Sequence, residues 1–164
     1  MKWSKLKSLV ESKMSPLLHK RVSIHSTAYG NCSCGHAWIT FDKKVIANFC
    51  TRAFWNRVNG SYYMHNNRWK THNPVPDYVT PLQKKSYGYM EYGELSRQNA
   101  YLSCWEYVHH LSIDEALGSS DPLIQALAVI DNRVGKRRLQ KMKDEKLHPL
   151  VLKILSLRIN NSIL

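Results

Sequence analysis

The chain has 164 residues, 43% hydrophobic and 22% charged, which suits a folded domain with a substantial core and excludes a disordered segment. No apolar run approaches the roughly 18 residues that a membrane span requires. The formal net charge is +12 and unevenly spread: residues 1–90 hold 14 Lys+Arg less 3 Asp+Glu, net +11, and residues 91–164 hold 10 less 9, net +1. No acidic residue stands between Asp42 and Asp77, and a one-sided field of this kind steers an anionic partner. Four cysteines do not suggest a disulfide framework. The opening MKWSKLKSLVESKM lacks the unbroken apolar centre of a secretory signal. Both features lead us to expect a cytoplasmic protein.

In chain order, Trp3, Leu6, Val10 and Met14 recur at helical spacing, and Pro16 ends that helix. Arg21–Tyr29 alternates, with Val22, Ile24 and Ala28 on one face. His36–Asp42 alternates again, with Ala37, Ile39 and Phe41 together. Gly30 and Gly35 bracket the connection, so the two runs predict an antiparallel hairpin. Val45–Phe49 adds a short strand, and Thr51 caps a predicted helix that runs to Val58. Residues 60–90 are the least regular: Pro74, Pro76 and Pro81 forbid a continuous helix, and a long ordered loop is expected.

From Glu91 the pattern is helical. Tyr92–Leu111 reads as one long helix with Leu95, Tyr101, Leu102, Trp105 and Val108 available for the core. Ser112 and Glu115 form a capping-box pair. Asp121-Pro122 places a cap before a proline at the first helical position, and Leu123, Ile124, Leu127, Ala128 and Ile130 make that helix apolar nearly all round, hence central. Pro149 opens a last helix with a stripe of Leu150, Val151, Ile154, Leu155 and Ile159. The expected fold class is α+β: a small N-terminal antiparallel hairpin or sheet with one or two helices, then a C-terminal antiparallel helical array. The lobes divide as 1–90 and 91–164 within one compact domain.

Candidate chemistry is sparse. Cys32-Ser33-Cys34-Gly35-His36 offers zinc-ligand types, with Cys50 or Cys104 to complete a set. Only one residue separates the cysteines, where zinc sites use two to four, so no metal or cofactor is expected. Val134-Gly135-Lys136-Arg137 fails as a phosphate loop, because Ile130 and Arg137 stand where glycine and Ser/Thr are needed. Glu91 with Glu94, and the adjacent His109 and His110, form no nucleophile–base–orienter set. An enzyme is therefore not expected. Phe49 to His72 differs: aromatics alternate with Arg, Lys and His, residue types that carry interface energy and stack on unpaired bases. Phe54 and Trp55 read equally well as core. The candidate partner-binding residues are Arg52, Arg57, Tyr62, Tyr63, His65, Arg68, Trp69, Lys70 and His72.

Trp3-Ser4-Lys5-Leu6-Lys7, Arg21-Val22 with Ile24, Thr27 and Tyr29, Ala37-Trp38-Ile39-Thr40-Phe41-Asp42-Lys43-Lys44, SIDEALGSSDPLIQALAVIDNRVGKRRL, His148-Pro149-Leu150-Val151 and Leu157-Arg158 occur in order. Together they resemble a family of small bacterial proteins that carries an enterobacterial hypothetical-protein name. The likeness covers most of the chain and is weakest over residues 50–90. That family is associated with polymorphic-toxin loci, including Rhs-type cassettes, so the resemblance implies an immunity protein that binds and occludes one toxin domain. The Cys32/Cys34 loop and the basic first half depart from the family pattern. The charge favours an acidic toxin, such as an ADP-ribosyltransferase or another NAD-consuming enzyme. The alternative is a basic nucleic-acid-binding protein, which the pI of 9.7 also suits. The run GKRRLQKMK lies in the near-neutral half, followed by Asp144 and Glu145, and reads as the solvated face of a short helix with Leu139 and Met142 as its apolar edge.

Overall fold

A computed structural model describes residues 1–28, 35–50, 62–65, 68–71 and 95–160. The described elements are α1 (Trp3–Ser12), β1 (Val22–Ala28), β2 (Gly35–Phe41), β3 (Lys44–Cys50), β4 (Tyr62–His65), β5 (Arg68–Thr71), α2 (Arg97–His109), α3 (Ile113–Leu117), α4 (Pro122–Ile130), α5 (Lys136–Lys141), a 3₁₀ turn (Met142–Asp144) and α6 (Pro149–Asn160). A small antiparallel sheet followed by an array of helices is the α+β class expected above. No helix among the described residues is long and apolar enough to cross a membrane. The helix expected over Thr51–Val58 lies outside the described residues.

Two compact units share the chain: Met1–Arg21 with Tyr101–Leu164, and Val22–Ala100. This partition differs from a division at residue 90, because α1 groups with the C-terminal helices. The cause is a buried apolar edge followed by backbone pairing. Leu6, Val10 and Met14 are buried, and Met14 forms an isolated antiparallel bridge with Asp131. The Ser15 amide donates to the Ile130 carbonyl, and the Asn132 amide to the Lys13 carbonyl, each at 2.8 Å. The folded division also redistributes charge. The helical unit holds 15 Lys+Arg less 8 Asp+Glu, net +7, and the sheet unit 9 less 4, net +5. The asymmetry along the sequence is therefore not an asymmetry between the units.

In the helical unit, α4 is central as its composition requires. Every residue from Leu123 to Ile130 except Gln125 is buried, and α4 packs on α3 and α6. Asp121 caps it by accepting from the Leu123 and Ile124 amides at 2.8 and 3.2 Å, and Ser103 Oγ donates to its other oxygen at 2.6 Å. The Ser112/Glu115 capping box forms. His148 Nδ1 accepts from the Leu150 amide at 3.1 Å at the start of α6. Lys136, Arg137, Arg138 and Lys141 are exposed while Leu139 and Met142 are buried, and Arg138 pairs with Asp114 at 2.7 Å.

Three expectations need correction. The helix expected over Tyr92–Leu111 begins only at Arg97, where Ser96 and Asn99 exchange side-chain-to-amide hydrogen bonds of 3.1 Å in the manner of a capping box. Its buried face is Ala100, Ser103, Cys104 and Tyr107, not the one containing Leu102, which is 60% exposed. Small and polar residues hold the inner face because Ser103 and Tyr107 bond carboxylates there. Tyr101 and Trp105 lie half-buried, with Trp105 against His109 at 4.2 Å between ring centres. On α6, Leu157 is fully buried and Ile159 only half-buried, which rotates the expected stripe.

In the sheet unit, the order is β1-β2-β3. Val22 pairs with Phe41 and Ile24 with Ile39, so the apolar alternation of the two runs meets on one face. Asp42 and Lys43 connect β2 to β3 with φ of 47° and 67°, the left-handed backbone that a two-residue hairpin turn needs. Lysine is a poor occupant of that region. Gly35, read from sequence as a turn residue, opens β2, and a Cβ there would lie 2.0 Å from the Thr27 carbonyl oxygen and 2.7 Å from Arg97 Cδ. Arg97 Nε donates to Ser26 Oγ at 3.0 Å across the same junction.

Replacing Lys43 by glycine removes the left-handed penalty at a position with no burial to lose. We expect Lys43→Gly to raise stability by about 0.5–1 kcal/mol in urea unfolding; a fall in the midpoint would show that the lysine side chain stabilises the turn.

Candidate partner interface

Residues 60–90 were expected to form a loop. Within them the structure has an antiparallel pair, β4 and β5, in which Tyr62 faces Thr71, Tyr63 faces Lys70, Met64 faces Trp69 and His65 faces Arg68 across the ladder. These are good strand formers by type, since aromatic and β-branched residues suit a pleated backbone. Strands of four residues are too short for alternation to stand out from a loop. The hairpin brings together six of the nine candidate residues: Tyr62, Tyr63, His65, Arg68, Trp69 and Lys70. Arg52, Arg57 and His72 lie outside the described residues. So do Cys32 and Cys34. Among the described residues no group of three or more His, Cys, Asp or Glu is placed to hold a metal ion.

The second face of the three-stranded sheet was missed. Alternation reads its residues as solvent-facing, yet His36, Thr40 and Asn48 are buried at 6%, 8% and 1% exposure. Trp38 lies between two imidazoles. His25, directly opposite on β1, stacks on it at 4.9 Å with an interplanar angle of 11°, and His36, two residues earlier on β2, stacks at 4.5 Å and 27°. His25 Nε2 lies 2.9 Å from Thr40 Oγ1. Burial lowers the His36 pKa from 6.5 to about 4, so its ring is neutral near pH 7. The only signal for this cluster in sequence was polar residues at every second position, the same signal that an exposed face leaves.

Cys104 offers no reactive thiol. It is fully buried, and burial, with the Asp121 charge adding to it, pushes its pKa up to about 12.

The fold defines an α+β protein with two units: a sheet unit, whose β4 and β5 are rich in aromatic and basic residues, and a helical unit. The chain belongs to the SF0329 protein family, whose model matches residues 2–159. No curated protein and no solved structure matches the chain.

His36 gives the sheet unit a pH dependence with a definite sign. Its folded pKa lies below the unfolded value, so its contribution is complete above about pH 6.5 and declines as pH falls toward about 4, because the unfolded chain takes up the proton first. Urea midpoints at pH 7 and pH 5 should differ less in His36→Gln than in the unchanged protein. Equal differences in the two would place the acid sensitivity on other groups.

Proposed function

We propose that this protein is a cytoplasmic immunity protein that binds a cognate polymorphic, Rhs-type toxin domain and blocks it by occlusion. The observation that carries the reading is the β4–β5 hairpin. It sets Tyr63 opposite Lys70 and His65 opposite Arg68 within a span, residues 43–76, that contains no acidic residue. Aromatic and arginine side chains are the usual anchors of protein interfaces, and a strand pair presents them at a fixed spacing. The resemblance to proteins of polymorphic-toxin loci supports the same reading.

Charge narrows the partner. Both folded units are net positive, so a basic nuclease would be repelled by either. An acidic toxin is accommodated, and an ADP-ribosyltransferase or other NAD-consuming domain supplies a glutamate and phosphate-binding subsites that arginines can occupy. The proposal assigns the chain no catalysis, metal or cofactor.

The test is co-purification with the toxin domain encoded by the neighbouring reading frame, followed by binding kinetics. We expect Arg68→Glu combined with Lys70→Glu to weaken the complex at least tenfold, about 1.4 kcal/mol, with much of the loss in the association rate. Unchanged affinity would remove the hairpin from the interface. A basic nuclease as partner would overturn the toxin class. Binding to mixed-sequence DNA or RNA that weakens steeply with salt would instead support a nucleic-acid-binding protein.

A further inference from the structure

The helical unit contains a pocket of about 320 Å³ lined by Leu17, Lys136, Leu139, Gln140, Arg158 and Ile159. Among these described lining residues two are cations, one is an amide, three are apolar, and none is acidic. Arg158 is half-buried on α6 and holds its place by one long hydrogen bond, Nη2 to the Val134 carbonyl at 3.3 Å. Its Nε is buried and has no hydrogen-bond partner among the described residues. A buried donor without an acceptor is costly, and more so on a charged group. The carboxylate whose charge Arg158 feels is Asp131, and that group is already taken: Arg133 grips both its oxygens and Tyr107 donates to one of them. Burial accordingly lowers the Arg158 pKa, with the Asp131 charge acting in the opposite direction.

We propose that this pocket binds a small organic anion, with its carboxylate or phosphate head on Arg158 and Lys136 and a short apolar body against Leu17, Leu139 and Ile159. Arg158 and Lys136 line the wall as cations, a guanidinium is a planar donor of the kind such heads accept from, and Gln140 adds a neutral polar side chain to the lining. The volume sits at the lower end of small-molecule sites, roughly 300–1,000 Å³, so the ligand is compact. The pocket shares no residue with the hairpin and lies in the other folded unit.

Calorimetric titration of the full chain with hexanoate, hexyl phosphate, acetate and hexanamide tests it. Hexanoate or hexyl phosphate should bind at least tenfold tighter than hexanamide, which lacks the charge, and tighter than acetate, which lacks the apolar body. The tighter of the two charged probes identifies the head group. Arg158→Gln should reduce that binding at least tenfold. Lys136 is exposed, so Lys136→Gln provides a second, folded variant should Arg158→Gln destabilise α6, and it should weaken binding severalfold. Equal affinity for hexanoate, hexyl phosphate and hexanamide, or binding of the charged probes that survives Lys136→Gln unchanged, would overturn the proposal.

Discussion

Asp131 has no exposed surface, and yet it is held ionised by the groups around it. Burial pushes its pKa up, but Arg133 and Tyr107 outweigh burial and leave the carboxyl below its ordinary value. Arg133 donates from its amide at 2.8 Å and from Nε and Nη2 at 2.9 and 2.8 Å, while the Tyr107 hydroxyl gives a fourth bond. Through these contacts one residue joins the inner face of α2, the end of α4 and the chain leading to α5. Its own backbone bridges Met14 and so brings in the segment after α1. A buried charge that loses its partners costs about 3–5 kcal/mol, which makes this carboxylate the constraint around which the helical unit is arranged. The Tyr107 phenol is held protonated by burial and by the same hydrogen bond.

Much of this organisation could be read from the chain because local chemistry and the fold agree. Asp121-Pro122 and Ser112 with Glu115 announce helix starts by hydrogen-bonding rules that need no tertiary information. The Val22/Ile24 and Ile39/Phe41 alternation fixes a register, since a slip of one residue would turn every apolar side chain outward. What could not be read depends on contacts distant in sequence. The assignment of α1 to the helical unit rests on amides pairing across more than a hundred residues. The inner face of α2 carries Ser103 and Tyr107 because carboxylates at 121 and 131 await them, and a hydrophobicity pattern prefers Leu102. A buried polar face on the sheet has the same alternation as a wet one.

The candidate site shows the same division. Residue types pointed to the stretch from Arg52 to His72, and β4–β5 supplies a regular scaffold for six of its nine candidates where a loop was expected. The basic charge that drew attention to the first half is shared between the two folded units at +5 and +7. What distinguishes the hairpin is therefore its acid-free span and its aromatic content rather than a polarised distribution of charge. The basic run after Gly135 proved to be mainly a solvated face, with Arg138 tied to Asp114. Its first residue, Lys136, nevertheless borders a pocket with Arg158 of α6, a juxtaposition that spacing along the chain does not show.

The dependence of the helical unit on Asp131 is tested most directly by native-state hydrogen exchange in Asp131→Asn. Asparagine keeps the size of the side chain but removes the charge that Arg133 and Tyr107 hold. The Ser15 and Asn132 amides, which bond the chain after α1 to the end of α4, report on the junction. If the carboxylate organises it, both amides should lose protection together, by at least about a hundredfold, in line with a loss near 3 kcal/mol. Protection at both positions equal to that of the unchanged protein would contradict the account.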